Sequence, residues 1–334
     1  RESDKRHVLI MDMHHIVTDG TSMGVLIKDF MAIYAGTELN PLRLQYKDYS
    51  EWMNGLIERE DEILRREREY WLKQFGNHIP RLNLPLDYER SEEHSFAGGV
   101  VEFEIAEDET KALKELAGNE EVTLYMVLLG IFNILLYTLC APEEVVIGTV
   151  VAGRRHTDLL PVNGMFVNTM ALKNSPSGEK TFREFLREVK RCTLGAFENQ
   201  GYQFEDLVEA VEQERFSARN PVFDVMFVLQ NLDFPRIEIP GLTLQPYEQE
   251  ILNAKFDLSL NGVEKDDKLF FSFSYKSKLF REETVAKFGN YFKEITSAVL
   301  KDRDIRIEEI DISTRFVNPE SSILSEASED FGFM

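Results

Sequence analysis

His14-His15-Ile16-Val17-Thr18-Asp19-Gly20 follows the apolar run Val8-Leu9-Ile10-Met11 and sets two adjacent imidazoles just ahead of a carboxylate and a glycine. The order reads as a strand that ends in an active-site loop, with a helix starting at Asp19 and Gly20. A neutral imidazole is the side chain best suited to exchange protons near pH 7, and a nearby carboxylate can fix how the loop presents it. Four such residues in a window of seven arise by chance in about one of a thousand chains of this length at average composition. Adjacent residues at a strand end point to opposite sides, so only one of His14 and His15 can face a given cavity.

Downstream, Met23, Leu26, Ile27, Phe30, Met31 and Tyr34 recur at helical spacing, and Gly36 stands where a helix stop belongs. The plain alternative is a pair of satisfied histidines at a core edge, with Asp19 or Thr21 merely capping this helix. A metal site is the other alternative, because His and Asp are ligand types. His7, His78, His94 and His156 show no ligand spacing, and Cys140 and Cys192 are isolated, so no metal is expected.

Further along, residues 57–75 form a highly charged helical stretch in which Leu64, Trp71, Leu72 and Phe75 are packing positions. Residues 79–88, with Pro80 and Pro85, read as a connector. Beyond it come a strand near 100–105, helices over 108–117 and 124–139, and a buried strand over 145–151. Helices follow near 182–197 and 204–214. The alternations Phe256-Leu258-Leu260 and Leu269-Phe271-Phe273-Tyr275, separated by Lys265-Asp266-Asp267, predict a hairpin with one buried face. A last helix runs near 282–300, and from Arg315 onward Ser, Glu, Asn and Pro dominate, as in a linker or frayed end. Within this pattern Phe166, Val167, Asn168 and Thr169 read either as strand core or as site residues.

The opening heptad resembles the HHxxxDG signature of nonribosomal peptide synthetase condensation domains, in the chloramphenicol-acetyltransferase-like superfamily. Four further stretches match in the family's order. Tyr46-Lys47-Asp48-Tyr49-Ser50-Glu51-Trp52 resembles YxDxxxW, and Asn163-Gly164-Met165-Phe166-Val167-Asn168-Thr169 resembles GxFVNT. Residues 200–205 (QGYQFE) are similar to HQDYPFE, and Ser217-Ala218-Arg219-Asn220-Pro221-Val222-Phe223 is similar to SRNPLF. QGYQFE lacks the usual acidic and proline positions, and Glu214-Arg215-Phe216 replaces a basic-acidic lead-in. Both departures bear on carrier-facing surface.

The resemblance implies an α+β, two-layer fold of two lobes with an active-site tunnel between them. It implies what remains of an N-terminal lobe over 1–80, a connector over 81–95, a C-terminal lobe over 96–314 and a linker over 315–334. Only thirteen residues precede the heptad, whereas the family places two motifs and several elements there. The N-terminal lobe is therefore expected to be incomplete and to expose an apolar surface. The implied reaction is amide formation, by attack of a carrier-bound aminoacyl amine on a carrier-bound acyl or peptidyl thioester. Epimerisation and a catalytically silent carrier-binding module are the alternatives.

In that picture His15 faces the tunnel, His14 is its structural neighbour, and Asp19 organises the loop through an ion pair with Arg154. Gly20 permits a special backbone conformation or close approach. Met165, Asn168 and Asn220 line the tunnel, while Tyr46 and Trp52 pack. No cofactor is held directly, since the substrates ride on phosphopantetheine of donor and acceptor carrier proteins, and an adenylation domain is the expected neighbour.

Composition agrees with a folded domain. The chain has 334 residues, 43% apolar and 11% aromatic, enough for sizeable cores. A net charge of -21 argues against nucleic acid and anionic membranes, both of which call for clustered Lys and Arg. The apolar run 124–140 contains Asn133 and has Glu120, Glu121, Glu143 and Glu144 beside it, so it reads as a core helix rather than a membrane span. Two distant cysteines fit a reducing cytoplasm.

Overall fold

Local periodicity and capping set most of the elements in the computed structural model, which describes residues 7–76, 78–91, 95–211, 219–230, 238–239, 242–243 and 253–312. Three helices come first, α1 (Gly20–Tyr34), α2 (Tyr46–Glu58) and α3 (Glu62–Phe75). Then follow β1 (Gly98–Ile105), α4 (Glu107–Asn119), α5 (Leu124–Cys140), β2 (Val145–Val151) and β3 (Asn168–Asn174). The chain continues through α6 (Phe182–Glu198), α7 (Phe204–Val211), β4 (Val225–Gln230) and a short pair, β5 (Glu238–Ile239) and β6 (Leu242–Thr243). It closes with β7 (Leu258–Lys265), β8 (Lys268–Lys276) and α8 (Glu282–Lys301).

The main sheet has the order β1-β8-β7-β4-β2-β3. β4 runs parallel to both β2 and β7, and the other pairs are antiparallel. The predicted hairpin is β7–β8. Its two turn residues, Asp266 and Asp267, have φ of 51° and 60°, as a type I′ turn requires, and aspartate tolerates that region better than most side chains. This turn sets the register Lys265↔Lys268, which puts Leu258, Leu260, Leu269, Phe271 and Phe273 on the buried face.

α5 is apolar around its whole circumference and is correspondingly buried along most of its length. Its one amide, Asn133, donates to the Leu129 carbonyl at 2.8 Å, an intrahelical bond that lets it sit in the core. Together, α4, α5, α6 and α8 and the sheet share one hydrophobic core. The architecture is the expected α+β arrangement of a helical layer on a sheet. No single helix among the described residues is long and apolar enough to cross a membrane.

Residues 78–91 carry no helix or strand but are firmly attached. Asp87 accepts from Arg281 N at 2.7 Å and Thr284 Oγ1 at 2.9 Å, so it supplies the N-terminal cap that Arg281 itself does not give α8. Arg90 forks onto the fully buried Asp257, which Lys276 also meets at 3.0 Å.

Three expectations about the fold need correction, and one strand is new. Val8-Leu9-Ile10-Met11 forms no strand: the four residues are exposed, Ile10 at 82%, and no described strand offers them a hydrogen-bond ladder. The charged stretch 57–75 is two helices, because α2 ends at Glu58, Glu60 takes φ 50°, and Asp61 starts α3 by accepting from Ile63 N at 2.9 Å. Trp52, expected to pack, is 56% exposed. β4 escaped the sequence reading; set between two parallel neighbours, it is a short run with apolar residues on both faces, so its sequence lacks the polar alternation that marks a strand, although only Val225 and Phe227 are fully buried. The continuation of α7 to 214, the Ser217-Ala218 part of the fifth motif and the 315–334 linker lie outside the described residues. Apolar side chains of the N-terminal segment and α1 are open to solvent, among them Leu9, Ile16, Ile33 and Tyr34.

Candidate active site

The histidine loop is a single 3-10 turn, His15–Val17, and each of its polar neighbours has a distinct task. His14 Nδ1 accepts from Ile16 N at 3.1 Å and serves as the cap of the turn. His15 is exposed and has no side-chain hydrogen-bond partner among the described residues. Its imidazole is free to meet a substrate.

Thr18 and Asp19 are extended, which turns the chain into α1. Asp19 caps that helix, accepting from Ser22 N at 2.8 Å. Its second partner lies 135 residues away in sequence: Arg154 Nη1 meets Oδ2 at 2.8 Å, and Nη2 meets Oδ1 at 3.1 Å. Phe166 N also donates to Oδ2 at 3.0 Å. Arg154 lies over the Phe166 ring, 4.3 Å from its centroid, and both charged side chains are almost fully enclosed. Burial pushes the Asp19 carboxyl up, but the Arg154 guanidinium and the amides of Ser22 and Phe166 outweigh it and leave the group below its ordinary range. Asp19 is therefore a fixed anion at neutral pH rather than a proton donor.

The sign of its pH dependence follows. A carboxyl depressed in the folded state contributes stability above its unfolded pKa and loses it as pH falls through the folded value. The stability gap between the wild type and Asp19→Asn is expected to stay level from pH 7 to about 4 and to shrink below that. Urea unfolding at a series of pH values checks it; a gap that narrows already between pH 7 and 5 contradicts the lock.

The backbone reaches this geometry through Gly153. Its φ is 66°, and a Cβ there would stand 1.9 Å from the Phe166 carbonyl oxygen, so only glycine lets β2 lead Arg154 under Asp19. Gly20, by contrast, is the first residue of α1 with no left-handed conformation, so of the two expected reasons for a glycine there, a special backbone conformation does not hold.

Ser22 is the residue that sequence reading missed. It is completely buried, and its hydroxyl accepts from Arg154 Nη2 at 2.8 Å and Gly164 N at 3.0 Å while donating to the Gly164 carbonyl at 2.9 Å. A small polar residue one helical turn past the cap was the available signal. Tyr46 completes the grip: its hydroxyl donates to the Met165 carbonyl at 2.8 Å, and its ring meets Phe166 edge-on at 5.0 Å. The first turns of α1 and α2 thus both hold the loop 163–166.

Of the three residues expected to line a tunnel, Met165 lies in this loop, half-buried and next to the Asp19 partners. Asn168 stands apart. Its amide donates to the Gln200 and Tyr202 carbonyls at 2.9 and 2.8 Å and accepts from Thr169 N and Phe204 N. With both amide atoms committed, it holds the 200–204 loop and has no free donor for a substrate. Asn220 sits with another group altogether, joined to Asp224, Arg81 and the Lys255 carbonyl.

The arrangement has close relatives. The family model described as Condensation domain matches residues 1–319. Bacitracin synthase 3 of Bacillus licheniformis is 47% identical over 308 residues, which is 92% of this chain and 5% of that protein. Tyrocidine synthase 3 of Brevibacillus parabrevis is 43% identical over 310 residues, 93% of this chain and 5% of that protein. The X-domain from teicoplanin biosynthesis shares the fold, with a TM-score of 0.80 at 24% identity over 90% of this chain and 70% of that one. The chain thus spans a small part of the length of the synthases it matches, and it belongs to the condensation-domain family.

Proposed function

We propose that this chain works as the amide-forming condensation domain of a nonribosomal peptide synthetase that makes a peptide antibiotic in the cytoplasm. Its substrates are an acyl or peptidyl thioester on a donor carrier protein and an aminoacyl thioester on an acceptor carrier, each on a phosphopantetheine arm. An adenylation domain is the neighbour this reading calls for. Residues 1–80 and 96–314 contribute to two lobes joined by 81–95, with the tunnel between them and 315–334 leading onward.

The acceptor nitrogen attacks the donor carbonyl carbon, the C–N bond forms, the C–S bond breaks, and the proton lost by nitrogen is balanced by one gained by the leaving thiolate. A thioester is already activated, so the domain's tasks are to hold two tethered ends together and to take a proton from the amine. An unperturbed α-amino group has a pKa of about 7.7 to 8.0, so roughly a tenth is neutral at pH 7 before any catalysis. His15 either accepts the proton or orients the neutral amine. Asp19 and Arg154 keep the loop in place and exchange no proton.

The observation that carries this reading is the contrast across the heptad and the helix start that follows it: Asp19 and Ser22 are buried and saturated with partners, while the His15 imidazole at the tip is exposed and unspent. The test uses the full-length domain with both carriers loaded, following transfer of the donor acyl group onto the acceptor by mass spectrometry. An acceptor carrier supplied alone is expected to keep its stereochemistry, and formation of the D-isomer would make epimerisation the function instead.

A further inference from the structure

Arg155 carries the same charge as its neighbour Arg154 to a different destination. Its Nη1 donates to Glu67 Oε1 on α3 at 2.9 Å. Glu67 is 0% exposed, and its Oε2 is buried without a hydrogen-bond partner among the described residues. Charged side chains are rarely enclosed so completely, and a buried carboxylate is costly unless it is paired. The helical pattern makes the placement more pointed: one and two turns on, the same face of α3 carries the buried Trp71 and Phe75, so position 67 is one that an apolar residue would fill. Gly201 closes over the pair, since a Cβ there would stand 2.5 Å from Oε2 and 3.2 Å from both terminal nitrogens of Arg155. Three segments, α3, the 153–156 loop and the 200–203 loop, are thus shaped around one ion pair.

We propose that Glu67 is a positioning residue for the histidine loop, acting through Arg155 on Arg154. At its start the 153–156 loop runs so close to the Phe166 carbonyl that only glycine fits at 153, and Arg154 is fixed there by Asp19, Ser22 and the Val162 carbonyl. After Arg154 the backbone itself offers less: Arg155 N meets the Gly153 carbonyl at 3.2 Å, and the next regular turn is Thr157–Leu159. The Glu67–Arg155 pair is the anchor on that second side. Arg154 and Arg155 share a peptide unit, so backbone rotation that frees one guanidinium displaces the other, and Asp19 loses its bidentate partner. The lever runs from α3 through the loop after β2 to the N-terminus of α1, and from there to the turn that carries His15.

The kinetic half of this inference rests on the amide-forming reading, and the structural half does not. The structural readout is amide hydrogen exchange by NMR on the chain itself. Ser22 and Phe166 donate their amides to Asp19, so Glu67→Gln, nearly isosteric and uncharged, is expected to speed their exchange about tenfold while the β7–β8 ladder exchanges as in the wild type. Unchanged Ser22 and Phe166 amides, or equal acceleration throughout the chain, overturn the proposal. Arg155→Lys serves as the second variant, since position 155 is half-exposed and tolerates replacement; it keeps a charge for Glu67 but loses the rigid fork, and is expected to fall between the two.

The kinetic readout is single-turnover transfer in the full-length domain. Glu67→Gln is expected to lower the rate about tenfold with the acceptor concentration for half-maximal rate unchanged. Added to Asp19→Asn it is expected to cost nothing more, because residues on one network are not additive. Losses that multiply would mean Glu67 acts independently of the lock. Should the wild-type domain transfer nothing, the functional reading fails, while the exchange experiment still decides the role of Glu67.

Discussion

His15→Ala in the full-length domain is expected to lower amide formation between loaded carriers by at least about tenfold and to leave the folding free energy within about 0.5 kcal/mol of wild type. The two halves of the expectation come from the same observation. His15 is exposed, packs in no core and has no side-chain partner among the described residues, so its removal strands no buried group. A positioned base typically contributes about a hundredfold to ten-thousandfold, and a neutral amine attacking a thioester still reacts without one, which makes tenfold the floor. Single-turnover rates with both carriers loaded, beside urea unfolding of the same variant, make the check. An unchanged rate removes His15 from the mechanism. His15→Gln refines the role, because an amide can orient an amine but cannot take its proton. Recovery with glutamine would favour orientation, and loss with both replacements would favour base catalysis. His14→Ala is the control: it removes the cap of the 3-10 turn but not the free imidazole.

Arg154→Met is expected to be the most damaging single change to stability, at about 3 to 5 kcal/mol, because it leaves the Asp19 carboxylate enclosed without its counter-charge. Methionine keeps much of the side-chain volume over Phe166, so the loss reports the charge rather than a cavity. The variant also frees the Ser22 hydroxyl and the Val162 carbonyl, which Arg154 meets at 2.8 and 3.2 Å. Adding Asp19→Asn should recover part of the loss, since the double variant no longer buries an unpaired charge. Denaturant unfolding of the two single variants and the double one checks this as a cycle. A double variant as unstable as the sum of the singles would contradict a direct pair. Amide formation is expected to fall in every one of these variants, because the loop bearing His15 depends on this anchor.

Much of the C-terminal part was legible in the chain because its signals are local. The alternation in Leu269-Phe271-Phe273-Tyr275 and the paired aspartates at the turn specify a hairpin without reference to anything distant. α5 is apolar enough to declare a core helix by composition alone. The failures have the opposite character. Val8 to Met11 has the pattern of a strand, but a strand exists only with a neighbour to bond, and the described residues offer none. β4 shows no alternation in its sequence because apolar residues stand on both of its faces, although only Val225 and Phe227 are fully buried.

In the site, the heptad announced a loop followed by a capped helix, and its resemblance to a known signature named Asp19 and Arg154 together. Local chemistry could not have paired residues so far apart. Nor could it have found Ser22, whose hydroxyl looks like any other polar group near a helix start, or Glu67, which looks like one more charge on a highly charged helix. Asn168 was legible as important and misjudged in kind: its amide secures a neighbouring loop through three hydrogen bonds and makes a fourth to Thr169 N.

By itself the sequence determined most of the helices, the β7–β8 hairpin with its turn chemistry, the core helix and the family, all of which are written in short-range spacing and in the order of motifs. Only the tertiary structure decided which of the charged and polar residues are spent and which are free. That distinction depends on burial and on partners brought together from α1, α3, β2 and the loops between them, and the free energy of a charge is set by what surrounds it. Two histidines adjacent in the chain differ for that reason: one ring nitrogen of His14 caps a turn, and the imidazole of His15 remains open to a substrate.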